Sequence, residues 1–342
     1  MPTPIRAAIL AEAESAHVEN YVRAAAAATG VERVGMVDPA GAWLALGNQL
    51  APGRFEGFRS APELLARGRP DLAIVTYAAD RAPAAIATAL EAGCHVLAEK
   101  PACTRPADFA RLARTADAKH RHLLLALANR AHPLVRQARE LVRQGALGRP
   151  YAAHLHLIAD QTRLRDPAYA KSWFASRSRA FGGFLAWLSI HYVDLLPFLT
   201  GSRYQEASAM IRKANRMPFD VEDSVAATFA MEDGLIASLH GGYYLDRGYQ
   251  AALLLWGSGG WLRLALHGAT RRVLEWRRYQ GDGPTESAEL DGPDAYALLV
   301  QAEVDAIARN TPPPASAGEC LHLLETLAAA YRAATEGKTQ RI

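Results

Sequence analysis

The 342-residue sequence predicts two domains of different class: an N-terminal α/β domain with a doubly wound parallel sheet, and a C-terminal α+β domain on an antiparallel sheet. Three observations predict this. The length exceeds what one hydrophobic core ordinarily serves. Up to residue 127, runs that are apolar throughout alternate with helical stretches, the pattern of parallel strands covered on both faces. Beyond about residue 220, strand-like runs follow one another across glycine-containing turns, the pattern of antiparallel hairpins.

In order along the chain, residues 5–11 (IRAAILA) read as a strand and 17–29 as an alanine-rich helix, and RVGMVD, 33–38, is a strand ending in an acid. Ser60-Ala61-Pro62-Glu63 has capping-box spacing with proline inside the first turn, so a helix opens there. LAIVTY, 72–77, is a third strand, 82–92 a helix, HVLAE, 95–99, a fourth strand, 105–119 a helix capped by Thr104, and HLLLAL, 122–127, a fifth strand. The domain boundary falls at residue 128, giving domains of 1–128 and 129–342. In the second, a helix is expected over 179–199. SVAATFAM, the turn Glu232-Asp233-Gly234, LIASLHGGYY, QAALLLW, the turn Gly257-Ser258-Gly259-Gly260 and WLRLAL follow it. Helices over 294–309 and 316–336 close the chain around Pro312-Pro313-Pro314, with room to pack back on the first domain.

Composition excludes several function classes. Half of the residues are hydrophobic and 21% are charged, ordinary for a globular protein. A net charge of +3 without a basic run argues against a nucleic-acid partner. Arg177 and Arg179, like Arg271, Arg272, Arg277 and Arg278, read as solvated positions. The apolar stretches are strand-length, far short of the roughly 20 residues of a membrane span. The N-terminus carries one arginine and a short apolar run, too little for a secretory signal. Cys94, Cys103 and Cys320 lack metal-like spacing and read as buried packing, so no metal is expected. A cytoplasmic protein with no membrane partner is the expectation.

In a doubly wound sheet, ligands bind beyond the C-terminal strand ends, here residues 11–16, 38–39, 77–80 and 99–101. "AAILAEAESAH", 7–17, occupies the place of a phosphate loop, but the glycine positions hold Ala11, Ala13 and Ala16. A methyl group at the first two restricts φ and pushes a diphosphate outward. Glu12 and Glu14 add negative charge, and like charges at about 4 Å repel by roughly 1–4 kcal/mol. Read alone, the stretch is a strand–turn–helix junction without phosphate. Asp38 ends the second strand, where an acid hydrogen-bonds a ribose 2′-hydroxyl and repels a 2′-phosphate; it reads equally as a cap on the turn into Pro39. "AGCHVLAEKPACT", 92–104, sets Lys100 at the ligand-facing edge, where a lysine holds a substrate oxygen and stabilises developing negative charge. Pro101 fixes the turn beyond it, a cis Lys100–Pro101 bond being one way to do so. The plain alternative is a surface lysine in a strand-end turn.

"EAGCHVLAEKPACT", "NRAHPLVRQARELVRQGALGRP" at 129–150, "GGFLAWLSIHYVDLLPFLTG" at 182–201 and the segment 221–264 occur in one order along the chain. Together they resemble the Gfo/Idh/MocA family, the relatives of glucose–fructose oxidoreductase and inositol dehydrogenase. The resemblance implies an N-terminal Rossmann-like domain with a nicotinamide cofactor. It also implies a C-terminal domain with a large open, mostly antiparallel sheet that often joins subunits, so a homo-oligomer (dimer or tetramer) is expected. The implied reaction is hydride transfer at a carbinol or carbonyl carbon of a sugar, inositol or related polyol. The family's catalytic lysine falls on Lys100 and its catalytic histidine on His191.

Three features depart from the family pattern, the first being the phosphate loop, whose glycine positions hold Ala11, Ala13 and Ala16. An aspartate usually lies four residues before the histidine; here it is Trp187, whose N–H can only donate but whose face can stack on a sugar ring. The Thr-Pro pair after the third strand is replaced by Thr76-Tyr77-Ala78-Ala79-Asp80. The expected site is therefore Lys100 and His191 for catalysis, Ala11, Ala13, Asp38, Thr76, Tyr77 and Glu99 for the cofactor, and Trp173, Trp187 and Arg163 for substrate. Tyr151, Tyr243, Tyr244 and Tyr249 read as sugar-stacking residues or as core or interface residues; Asp194, three residues after His191, stands where it could orient it, and the resemblance implies a structural role in the helix. Asp38 favours NAD over NADP, with no cofactor at all if the loop is closed to it. Two functional readings stand: a divergent NAD(P)-dependent oxidoreductase, or a redox-inactive relative that binds a sugar-like ligand, regulates, or partners an active homologue. A non-redox enzyme is a third, without specific support.

Overall fold

Apolar runs with helices between them become parallel strands because both of their faces must be covered. The computed structural model describes residues 4–215, 219–267, 272–279, 284–290 and 294–342. It contains two units: Met1–Ala128 with Ser178–Phe181 and Pro293–Leu321, and Asn129–Arg177 with Gly182–Gly292 and His322–Ile342.

The first unit holds β1 (Ile5–Leu10), α1 (Val18–Ala27), β2 (Val31–Val37), α2 (Ala42–Leu50), β3 (Phe55–Phe58), α3 (Ala61–Gly68), β4 (Leu72–Val75), α4 (Ala82–Glu91), β5 (His95–Ala98), α5 (Pro106–Ala118) and β6 (Leu123–Leu125). The six strands are all parallel, in the order β3-β2-β1-β4-β5-β6. The order reverses between β1 and β4, which is where such sheets open a ligand crevice. Leu10 pairs with both Val37 and Val75, and Val75 with Ala98. Ala11, Asp38, Thr76 and Glu99 therefore leave the sheet side by side. Ser60 caps α3 as its spacing predicts, its Oγ accepting the Glu63 N–H at 3.3 Å. The expected Thr104 cap is displaced by one residue: α5 has Arg105 at its N-cap and opens on Pro106, whose fixed φ suits a first helical turn. α2 and β3 carry no periodic signal in the sequence and were not anticipated by it.

The second unit contains α6 (Pro133–Arg143), β7 (Pro150–Asp160), α7 (Pro167–Lys171), α8 (Ile190–Thr200), β8 (Tyr204–Arg212), β9 (Ser224–Met231), β10 (Ile236–Leu245), β11 (Tyr249–Gly257), β12 (Gly260–His267), β13 (Arg272–Arg278) and β14 (Glu286–Leu290). With β15 (Gln340–Arg341), the strands form a nine-stranded sheet in the order β14-β13-β12-β11-β7-β10-β9-β8-β15. Every neighbouring pair is antiparallel except β7 with β10. The Asp233-Gly234 turn joins β9 to β10, with Gly234 at φ 86°, and Ser258-Gly259 joins β11 to β12. Arg271 lies outside the described residues. Of the two last helices, α9 (Ala295–Arg309) belongs to the first unit, where Gln301 bonds the Thr29 N–H at 2.7 Å; α10 spans Ala317–Glu336.

The helix expected over 179–199 begins later. A π-helical turn, Leu185–Ser189, leads into α8, and the reason lies in Gly182 and Gly183. The buried Glu222 carboxylate accepts the Gly183 N–H at 2.7 Å and the Leu185 N–H at 3.0 Å, and its carbonyl accepts the Phe184 N–H at 3.0 Å. The Tyr331 hydroxyl donates to the same carboxylate at 2.6 Å. Glu222 thus satisfies the donors that a helix start leaves open, with its negative charge at the positive end of the dipole. Burial pushes the Glu222 carboxyl upward in pKa, against the pull of these donors. A Cβ on Gly183 would overlap the Glu222 carbonyl, and one on Gly182 the Tyr331 hydroxyl.

A second buried contact fixes α8. The Arg130 guanidinium grips Asp194 in two bonds, Nε to Oδ2 at 2.8 Å and Nη2 to Oδ1 at 2.6 Å. This ties Asp194 of α8 to Arg130, 64 residues earlier. Cys94, Cys103 and Cys320 are all buried and none forms a disulfide. No helix among the described residues is long and apolar enough to cross a membrane.

Gly183→Ala should lower unfolding free energy by about 3 kcal/mol in urea denaturation, since the new methyl forces the Glu222 backbone away; a change below about 0.5 kcal/mol would contradict the contact. His132 caps α6 by accepting the Leu134 N–H at 3.2 Å on Nδ1, which requires a neutral ring. Burial, with Arg272 and His267 nearby, pushes its pKa down to about 4. Its contribution is present above the ordinary histidine pKa of about 6.5 and is lost as pH falls toward 4, because the unfolded chain binds the proton more readily. Thermal melts should decline over that window, and less steeply in His132→Asn; parallel declines in both proteins would remove His132 as a cause.

Candidate functional site

The four adjoining strand ends of the first unit carry most of the residues singled out in the sequence. At the end of β5, Lys100 is 1% exposed and follows Glu99, also buried. The Lys100–Pro101 bond is cis. Glu99 Oε2 accepts the Tyr21 hydroxyl at 2.6 Å and lies 3.2 Å from His17 Nδ1. Its Oε1 accepts the Lys100 main-chain N–H at 3.1 Å and stands 4.0 Å from Lys100 Nζ. Burial raises the Glu99 pKa, but His17, Lys100 and the Tyr21 hydroxyl outweigh it, and the carboxyl stays below its usual value. His17 enters α1 from the left-handed region, at φ 57°, and its ring packs against Tyr296 of α9, as does that of Tyr21. The result is a buried, negatively charged carboxylate beside a buried lysine.

The other cofactor candidates divide. Ala11 is buried and its N–H bonds the Val37 carbonyl, while Ala13 is exposed. Thr76 is buried, and both its N–H and its hydroxyl donate to the Leu10 carbonyl. Tyr77 is half-buried, with its hydroxyl pKa raised by burial and by Glu12. Asp38 Oδ2 accepts the Trp43 and Leu44 N–H groups at 2.8 and 3.0 Å, so the carboxylate caps α2. Its Oδ1 takes only a long 3.3 Å bond from the Ala40 N–H, which leaves that oxygen open to a ribose hydroxyl.

The turn after β1 holds what the sequence did not disclose. Glu12 Oε1 accepts the Ala78 N–H at 3.0 Å and Arg81 Nη2 at 2.9 Å. Glu14 Oε2 accepts the same Arg81 nitrogen at 2.9 Å and Arg179 Nη2 at 2.8 Å. Arg179 Nη1 reaches Glu14 Oε1 at 3.0 Å and its Nε reaches Asp80 at 3.2 Å. Arg179 is therefore a paired residue rather than a solvated one. Its bonds to Glu14 hold the glutamate's pKa down and push its own up. A nicotinamide dinucleotide fits this donor set: the strand-end N–H of Ala78 and two guanidinium groups already hold anions, and Asp38 keeps an acceptor.

In the second unit His191 lies in the first turn of α8. Trp187, four residues earlier in the π turn, is 6% exposed and stacks on Phe174, ring centroids 4.7 Å apart and planes 13° apart. Trp173 is buried and meets Trp187 edge-on at 5.3 Å. Arg163 Nη2 donates to the Tyr249 hydroxyl at 2.5 Å, and its guanidinium lies over the Tyr249 and Tyr243 rings at 5.5 and 5.8 Å. Tyr243 is itself buried, so its ring is a core wall, whereas Tyr151 and Tyr244 are exposed.

At the opposite strand ends, His95, His122 and Glu303 form a cluster with ligand atoms within 4.8 Å of one another. His95 Nδ1 accepts the His122 main-chain N–H at 3.0 Å, which leaves its proton on Nε2, a donor. His122 Nδ1 meets Glu303 Oε1 at 2.8 Å. Hydrogen bonding thus accounts for the group.

Comparison with known proteins agrees with this architecture. Residues 11–127 match the family model described as "Oxidoreductase family, NAD-binding Rossmann fold", and residues 135–263 match the "GFO/IDH/MocA C-terminal domain". A 1,5-anhydro-D-fructose reductase from Ensifer adhaerens is 27% identical over 266 residues, 74% of each chain. An oxidoreductase domain protein from Kribbella flavida has the same fold, with a TM-score of 0.86, 21% identity and 99% of each chain covered. So does an oxidoreductase from Agrobacterium radiobacter, solved with NAD+, L-tartaric acid and magnesium, with a TM-score of 0.84, 17% identity, and 99% of this chain and 98% of that one covered. Matched in both its N-terminal and its C-terminal domain, the chain belongs to the Gfo/Idh/MocA family.

Proposed function

We propose that the protein is a divergent NAD-dependent oxidoreductase acting at a carbinol or carbonyl carbon of a sugar, inositol or related polyol. Lys100 is the observation that carries this reading. A lysine in an ordinary strand-end turn lies in solvent, whereas burying a cation costs several kcal/mol unless a partner offsets it. Here the lysine is 1% exposed beside the buried Glu99, which is tied in turn to Tyr21 and His17. Such a group suits an oxygen that gains negative charge. The NAD-binding description of the family and the sugar substrate named for the Ensifer relative support the reading, as does the NAD+ held by the Agrobacterium structure.

In this reading Lys100 holds the reacting oxygen and Glu99 keeps the lysine charged. His191 takes or returns the hydroxyl proton, a task suited to imidazole near neutral pH. Trp187 cannot accept that proton, so no carboxylate one turn before His191 assists it. Asp38 Oδ1 accepts from the ribose and selects NAD over NADP. When bound, the nicotinamide supplies the hydride donor or acceptor. One observation favours the redox-inactive alternative: the glutamates that line the turn after β1.

We infer a homo-oligomer joined through one face of the nine-stranded sheet. Met210, in register with Ala226 and His240, and Ile236, four residues before His240 on the same face of β10, are 67% and 60% exposed. Met210→Glu should shift sedimentation toward the monomer; an unchanged profile would move the contact elsewhere.

NADH titration followed by fluorescence, then a polyol screen, tests the activity. His191→Ala should lower turnover by about 100-fold or more with melting temperature retained, and Lys100→Ala should lower turnover as much while also lowering the melting temperature, because Glu99 loses its buried charge partner. Absence of NADH binding at millimolar concentration, or wild-type turnover in either variant, would contradict the reading.

A further inference from the structure

We propose that Arg81 and Arg179 are the diphosphate ligands of the cofactor, and that Glu12 and Glu14 occupy this anion site until a diphosphate displaces them. The proposal rests on the NAD reading above. A glycine turn binds diphosphate by letting main-chain N–H groups come close. Ala11 and Ala13 deny that approach, so the ligand must be met from farther out. Guanidinium groups have that reach, and their fork matches phosphate oxygens.

The structure already displays the site in use by an anion. Glu12 Oε1 sits on the Ala78 N–H and on Arg81, and Glu14 bridges Arg81 and Arg179. Asp80, on Arg179 Nε, positions the second guanidinium from the side away from Glu14 Oε1. Three carboxylates therefore share two arginines. Adding a diphosphate while all three stayed would concentrate negative charge, so the glutamates must turn outward. Their exposure permits it: the Glu14 side chain is 39% exposed, and those of Arg81 and Arg179 are 47% and 29% exposed. Pairs this close to water hold one another weakly and exchange readily. Glu12, 13% exposed and also bonded to the Ala78 N–H, is the harder of the two to displace. The arrangement predicts a cofactor affinity set by competition between the chain's own carboxylates and the ligand.

Calorimetric titration of the full chain with NAD+, and with adenosine as a probe lacking the diphosphate, tests this. Glu12→Gln with Glu14→Gln should tighten NAD+ about tenfold, and Arg179→Ala or Arg81→Ala should weaken it about tenfold, as expected for charge-assisted contacts. The arginine losses should persist in the double-glutamine background, and adenosine affinity should not change. Arginines that only neutralise the glutamates would lose their effect in that background, which would overturn the proposal, as would a double-glutamine variant that binds NAD+ no better than wild type. Arg179→Lys, which keeps the charge without the fork, guards against misfolding and should fall between wild type and alanine; binding as weak as that of the alanine variant with a lowered melting temperature would attribute the loss to folding and contradict the assignment. If wild type and every variant fail to bind NAD+, the NAD reading itself falls and this assignment falls with it.

Discussion

Charge held out of water by an opposite charge or by directed N–H groups is the constraint on which the rest depends. An ion in a protein interior costs several kcal/mol unless its partners are in place, so a chain that buries one must also build the surroundings that keep it. Glu99 is buried against Lys100, Tyr21 and His17. Glu222 is buried against two main-chain N–H groups and Tyr331. Asp194 is buried against the Nε–Nη2 edge of the Arg130 guanidinium. Each of the three carboxylates has at least one partner from a distant stretch of chain, so each ties local structure to tertiary packing. The first sets the end of β5; the other two set the start and the body of α8, where His191 lies.

The edge of the parallel sheet follows the same logic with solvent admitted. Replacing glycines by alanines in the turn after β1 removes the close approach that main-chain donors need. Placing glutamates there would leave bare negative charge without Arg81 and Arg179. These substitutions therefore make sense as a set, in which side chains do what the backbone does in a glycine turn. Trp187 belongs to a similar exchange: where the resemblance implies a carboxylate, a buried indole stacks on Phe174.

Much of the fold is legible in the sequence because the parallel strands are uniformly apolar and their helices punctuated by proline and glycine. Lys100 is legible for the same reason, since it stands directly after a strand that reads as buried. The central strand β7 is not, because PYAAHLHLIAD mixes histidines into an apolar run. The late start of α8 is not legible either: Gly182 and Gly183 answer to Glu222 and Tyr331, which lie far away in sequence. Arg179 reads as a solvated charge because its partners, Glu14 and Asp80, are separated from it by about a hundred residues or more. Short-range pattern reveals which strands are buried; it does not reveal which distant charge meets which.

A crystal structure of the protein with NAD+ is the most direct test of the central claim, that the turn after β1 is an anion site lent to the chain's own glutamates. The account predicts diphosphate oxygens on the Arg81 and Arg179 guanidinium groups, with Glu14 turned to solvent and Glu12 drawn away from Arg81. A bound cofactor whose diphosphate lies elsewhere, with Glu12 and Glu14 still on the two arginines, would contradict it.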